Sequence, residues 1–231
     1  MKKNAIYSFL LGVILFPASS GAQCSASLSV SSTGCGVPAL LEAGMNKPIL
    51  YLEWTQTGIG VVRRDTATYN KAGTTLPLSL NHPGGMFLHP NGDIYVAEQD
   101  GHKVVKWTPG GGAAVIVAGG NGAGAGLNQL NAPLAVVVGA GDTVFVLEYS
   151  NNRVTKWAPG ASQGIVAAGN NGAGPGLNQL SGAHGMAIDQ AGNLYVADRN
   201  NNRIIRFPPG SNQSTSGVAL PVAISQPVSV A

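Results

Sequence analysis

The sequence predicts an all-β protein, a β-propeller of four-stranded antiparallel blades arranged as an incomplete ring of three to four blades. Three observations lead there. The first is a stretch written three times at a spacing of fifty: DIYVAEQDGHKVVKWTPG from Asp93, TVFVLEYSNNRVTKWAPG from Thr143 and NLYVADRNNNRIIRFPPG from Asn193. Self-similarity at such a period marks a repeat architecture before any single residue does. The second is a shared link between the copies, GAGAGLNQL from Gly122 and GAGPGLNQL from Gly172. The third is composition: 33 glycines and 10% charged residues in 231 suit short strands and tight turns, where long helices need helix formers.

The chain opens with MKKNAIYSFLLGVILFPASSGA. Two lysines, an apolar run from Ala5 to Phe16 too short for a comfortable bilayer span, and the small residues Ser20 and Ala22 mark residues 1–22 as a signal peptide. The expected address is secreted, extracellular or periplasmic, with no stable membrane span after cleavage; an uncleaved anchor is the plainer alternative. Gln23 breaks the pattern a lipid anchor on Cys24 would require. Removing the leader takes Lys2 and Lys3 with it, leaving 11 basic against 10 acidic residues, so the formal charge of +3 is mostly the leader's. Nucleic acid is therefore not the expected partner. Cys24 and Cys35 are a disulfide candidate in an oxidising compartment. Their bond would constrain the N-terminal segment by about 3 kcal/mol. No Cys/His spacing suggests a structural metal.

Residues 23–81 are a β-rich segment unlike the rest, with strand character in SLSVS from Ser27, ILYLEW from Ile49 and IGVVRR from Ile59. Two readings stand. In one, ILYLEWTQTGIGVVRR is a worn copy of DIYVAEQDGHKVVKW, with Tyr51 at the place of Tyr95. In the other, it is an immunoglobulin-like piece with Trp54 in its core.

The repeat occupies residues 82–231, with blades at 82–132, 133–182 and 183–226 and the start of another at 227. Each copy offers an apolar run (GMFL from Gly85, LAVVV from Leu134, GMAI from Gly185), then an Asn-Gly, Gly-Asp or Gly-Asn turn. The YVA-type run, an Asn/Asp-rich turn, the VVKW-type run, a Pro-Gly turn and a last apolar run such as AVIVAGG follow. Strict apolar/polar alternation is missing, as suits a sheet covered on both faces by its neighbours. Trp107, Trp157 and Phe207 close the third strand of each copy, where packing between blades is their expected task. A three-blade arc leaves open blade edges, a route to self-association.

At YVADRNNNRIIRF, preceded by HGMAIDQAGN, the sequence resembles the NHL repeat family of β-propellers, and the likeness runs from residue 82 to about 210 in three copies. Its GAGxGLNQL links and KWAPG turns are similar to those of secreted bacterial proteins that carry NHL arrays. The resemblance implies a ring of about six blades in the whole family and a recognition or scaffold module of the non-enzymatic kind. WD-type and kelch signatures are missing in register.

Loop placement narrows the site. The Asn-rich turns and the GLNQL links share one face, and the HPNGD and Pro-Gly turns share the other. The first has the longer polar loops, so the expected ligand-binding face is Asp100, His102, Asn151, Asn152, Arg153, Asn201, Asn202 and Arg203. The plainer reading of Glu98, Glu148 and Asp198 with Lys103, Arg153 and Arg203 is an acid and a base pinning each hairpin. The ligand would be a protein, peptide or carbohydrate, and no cofactor is called for. The sequon at Asn212 matters only in a eukaryotic source.

No nucleophile elbow, HExxH or paired-carboxylate motif is present, and no catalytic residue is named. Peptidyl-hydroxyglycine amidating lyases, which resemble NHL propellers, hold zinc with histidines near the axis. By that resemblance His82 and His184 are the weak metal candidates, and a metal-dependent lyase or hydrolase is the alternative function. Two ligands fall short of the three that catalytic zinc generally takes. A third reading is a structural fragment that works only with additional blades.

Overall fold

The computed structural model describes residues 78–230 in full, together with the strands β1 (Ile49–Thr55), β2 (Gly58–Arg64) and β3 (Thr74–Thr75). The leader, Cys24, Cys35, the SLSVS run and the packing of Trp54 lie outside the described residues. β1, β2 and β3 form a three-stranded antiparallel sheet in chain order, with Tyr51 opposite Val62 and Val62 opposite Thr75.

Three four-stranded antiparallel sheets follow, each in simple meander order. The first blade is β4 (Pro83–Leu88), β5 (Ile94–Glu98), β6 (Lys103–Trp107) and β7 (Val115–Gly119). The second is β8 (Pro133–Val138), β9 (Val144–Glu148), β10 (Arg153–Trp157) and β11 (Ile165–Gly169). The third is β12 (Gly185–Ile188), β13 (Leu194–Asp198), β14 (Arg203–Phe207) and β15 (Val218–Ala219). All-β blades of this kind make a partial β-propeller. β15 is shorter than the five residues the sequence suggests. Pro221 follows it closely, and a proline cannot donate to a ladder.

Turn chemistry fixes these hairpins. In the Pro-Gly turns, Gly110, Gly160 and Gly210 take φ of 75°, 72° and 80°, a region that favours glycine. Blades meet through their first strands, β4 against β8 and β8 against β12. A Cβ on Gly84 would lie 2.7 Å from the Leu134 carbonyl, and one on Gly185 would lie 2.7 Å from the Val228 carbonyl. Glycine is thus required at these two close approaches, whereas β8 carries Leu134 and Ala135 at the corresponding places.

The core lies between sheets. Tyr95, Ala97 and Val104 of the first blade pack with Val144, Val146 and Trp157 of the second; Leu147 and Val154 of the second pack with Leu194, Val196, Ile205 and Phe207 of the third. Trp107 packs with Ile94, Val96 and Val105 on the opposite side of the first blade. Successive side chains of one strand therefore serve two different interfaces, which is why β5 is buried at every position. Burying an indole as Trp157 is buried contributes several kcal/mol; truncation to alanine would cost about 3–5.

Candidate functional site

The turn after the second strand of each blade brings the copied polar residues together, and most of them face inward. Glu148 is fully buried at the end of β9, and Arg153, 1% exposed, begins β10 opposite it. Arg153 Nε donates to Glu148 Oε1 at 2.7 Å, Nη1 to the Ala125 carbonyl at 2.7 Å, and Nη2 to the Gly126 and Gln129 carbonyls at 3.1 and 3.3 Å. Asn151 Nδ2 donates to Glu148 Oε2 and the Gly124 carbonyl, and the Asn131 amide donates to the same carboxylate. The third blade repeats the set. Arg203 reaches Asp198 and the carbonyls of Pro175, Gly176 and Gln179, and Asn201 reaches Asp198 and the Gly174 carbonyl.

Each arginine therefore ties the preceding GAGxGLNQL link to its own blade. A guanidinium offers five donors in a rigid fork, and here the fork meets one carboxylate and three carbonyls. This takes Asn151, Arg153, Asn201 and Arg203 out of the expected ligand-binding surface, because their donors are already occupied within the protein.

His102, Asn152 and Asn202 do a second structural job. All three have left-handed φ, 48°, 48° and 52°. His102 Nδ1 accepts the Ala132 amide at 3.3 Å, Asn152 Oδ1 the Gly182 amide at 3.1 Å, and Asn202 Oδ1 the Gln226 amide at 2.8 Å. Those donating amides belong to the segments that lead on from each blade, so each turn staples two successive segments. Of the expected surface, Asp100 is left reaching solvent, with His82 Nδ1 at 3.2 Å from its Oδ2. His184 Nδ1 pairs with the Gly182 carbonyl at 2.8 Å. Among the described residues, no group of three or more His, Cys, Asp or Glu side chains is placed to hold a metal ion.

A set of residues that sequence reasoning passed over lies on the same face. The position after the copied acid is Gln99, Tyr149 and Arg199 in the three blades. Tyr149 is 43% exposed, and its ring stands edge-on to His184 of the next blade, with centroids 5.4 Å apart. Arg199 Nη2 donates to Gln226 Oε1 at 3.0 Å, and its Nε is buried with no hydrogen-bond partner. An exposed ring, an imidazole and a guanidinium thus line the entries to the inner strands.

The opposite face is held by charge. Lys106 Nζ lies 2.7 Å from Asp93 Oδ2 and 5.7 Å from the centre of the Tyr95 ring. Burial pushes the Asp93 carboxyl up, but hydrogen bonds from Lys106, Thr108 and Asn91 outweigh it and hold the group below its ordinary range. The hydrogen bond to Asp93 raises the Lys106 ammonium, and burial raises the Tyr95 phenol. In the third blade Asp189 accepts from Asn193 and the Tyr195 hydroxyl. These groups satisfy one another.

Residues 180–207 match the NHL repeat model. They hold β12, β13 and β14 and the Asp198–Arg203 pair. No curated protein matches the chain. Among solved structures, a catalytically inactive virginiamycin B lyase from Staphylococcus aureus, with quinupristin, is similar at 17% identity with a TM-score of 0.50, over 82% of this chain and 61% of the lyase. A protein of unknown function from Bacteroides thetaiotaomicron gives 15% and 0.57, over 79% and 50%. The nidogen/laminin complex gives 17% and 0.56, over 77% and 63%. The chain thus spans 50–63% of the length of these neighbours, which share its fold. One copy thus matches the NHL repeat model, the other two stand in its register, and the solved neighbours share the fold of a partial β-propeller.

Proposed function

We propose that this protein is a secreted, non-enzymatic recognition module that takes a protein or peptide segment on the face of the Asn-rich turns. The observation that carries the reading is Tyr149, a half-exposed ring braced by His184. Rigid aromatic rings give large contact area at low entropic cost, and guanidinium groups such as that of Arg199 suit carboxylates. The copied residues of the face are occupied in holding the blades, so the residues that differ between blades are those left to discriminate a ligand.

The test is binding of the mature chain to peptide and glycan arrays, followed by titration of the best peptide. Tyr149→Ala and Arg199→Ala should each weaken binding at least about tenfold with the melting temperature unchanged. Peptide binding that survives both substitutions would reject the site; absence of binding to any peptide would reject the function. The alternative, a metal-dependent lyase, is supported by the lyase among the neighbours. Stoichiometric zinc in the purified protein, lost on replacing His82 and His184, would favour it.

A further inference from the structure

We propose that Asn121 is a modification site: in water it loses its side-chain ammonia spontaneously, and the aspartate or isoaspartate that results loosens the link into the second blade. Asn-Gly is the dipeptide in which this reaction meets least hindrance, since glycine has no side chain to shield its amide nitrogen. The chain holds three such pairs, Asn91-Gly92, Asn121-Gly122 and Asn171-Gly172. The fold treats them differently.

Asn91 is held at its nucleophile and at both ends of its side-chain amide. The Gly92 amide, which would attack, donates to the His89 carbonyl at 2.8 Å. Asn91 Oδ1 accepts the Asp93 amide at 2.9 Å, and Nδ2 donates to the Asp93 carboxylate at 3.0 Å. Asn171 is held at its leaving group, where Nδ2 donates to the carbonyls of Gly169, Asn178 and Gln213 at 3.2, 2.8 and 2.7 Å. Gln213 belongs to the turn between β14 and β15, which is longer than the one between β10 and β11. Asn121 stands at the same place in the preceding link. It is exposed, and its Nδ2 makes one bond, to the Asn128 carbonyl at 2.8 Å. Among the described residues the Gly122 amide donates to no acceptor, and a Cβ on Gly122 would meet nothing within 4 Å.

The Gly122 nitrogen, giving up its proton, bonds to Asn121 Cγ; the Cγ–Nδ2 bond breaks and Nδ2 leaves with a proton as ammonia. Water then opens the cyclic imide at either carbonyl, to aspartate or to isoaspartate with the backbone rerouted through the side chain. No electrons are transferred, and water is the co-reactant. Either product takes the Nδ2 donor from the Asn128 carbonyl and adds a negative charge. Isoaspartate also turns the Asn121 carbonyl, which accepts Gln129 Nε2 at 3.1 Å, into a carboxylate off the main chain. The link that Arg153 holds at Ala125, Gly126 and Gln129 thereby loses its anchor at the near end.

The test is to incubate the chain in mildly alkaline buffer, digest it at intervals and map the peptides by mass spectrometry. The Asn121 peptide should gain one mass unit at least about tenfold faster than the Asn91 or Asn171 peptide. In denaturant the three rates should draw together, because the fold and not the dipeptide sets them apart. Deleting residues 213–215 should speed the reaction at Asn171 toward that at Asn121 and leave Asn91 unchanged. Asn121→Asp, which makes one product directly, should melt below the parent. Equal rates at Asn121 and Asn171 in the folded chain, or Asn91 reacting first, would overturn the site. An Asn121→Asp chain that melts with the parent would overturn the consequence for the link.

Discussion

The second and third blades are entered differently from the first, and the comparison shows what the copied arginine does. Before the second and third blades runs GAGxGLNQL; before the first runs TTLPLSLN. Where the glycine-rich link is present, the blade carries Asn151 and Arg153, or Asn201 and Arg203, and both bond to the link's carbonyls. Where it is absent the same places hold Gly101 and Lys103, and Lys103 makes a 3.7 Å pair with Glu98. A link rich in glycine has exposed carbonyls and little side chain to pack. It needs an external donor set, and a guanidinium with a neighbouring amide supplies one. An ammonium, a compact point charge, would satisfy the carboxylate alone.

The largest effect expected is therefore unequal between blades. Arg153→Ala leaves the buried Glu148 carboxylate without its cation and three carbonyls without their donor, and should cost about 3–5 kcal/mol in chemical denaturation. Lys103→Ala removes a longer pair between a partly exposed ammonium and the buried Glu98 carboxylate, which keeps the Asn81 amide, and should cost less, about 1–2 kcal/mol. Equal losses would show that the link contributes nothing to the arginine's role. Arg153→Lys should recover only part of the loss, because the fork is what matches several carbonyls at once.

Much of this was legible in the sequence, and the part that was not has a physical reason. Strands and turns were readable because copying fixes register: Tyr95, Phe145 and Tyr195 all stand in second strands. The acid and base five residues apart were visible as a hairpin pair. Their link partners were not, because a carbonyl has no sequence signature and Ala125 lies far from Arg153 along the chain. Which residues of the expected face are occupied within the protein was hidden for a related reason. A residue copied in every blade answers a need shared by every blade, which is structural. Tyr149, where the other blades have Gln99 and Arg199, was signalled by disagreement between copies.

The staples between blades come next in size. Asn152→Ala removes the acceptor for the Gly182 amide and places alanine at a left-handed φ of 48°, for an expected cost of about 1–2 kcal/mol. Asn202→Ala removes the acceptor for the more exposed Gln226 amide and should cost less, about 1 kcal/mol, in the same denaturation measurement.

The first blade has a charge the others lack in Asp93, where they have Thr143 and Asn193. Its carboxyl is held below the ordinary range in the fold, so its contribution is fully present above the unfolded value near 4 and fades as pH falls toward the folded one. Asp93→Asn should therefore be less stable than the parent by a constant amount at neutral pH, with the difference shrinking below about pH 4. Parallel acid denaturation curves would contradict this.

The smallest effect is the sharpest test of the copy rule. His102 stands where the other blades have asparagine, at the same left-handed φ and in the same staple, but its bond to Ala132 is longer at 3.3 Å. Asparagine enters this region more easily than most residues, because its short amide bonds the local backbone there. His102→Asn should accordingly be neutral or stabilising by about 0.5 kcal/mol, although it removes a larger, partly buried side chain. A clear loss would mean that the imidazole packs in a way the asparagines do not, and that the first blade has diverged at its exit as well as at its entry. A gain would place the divergence at the entry alone, where the link changed and the arginine changed with it.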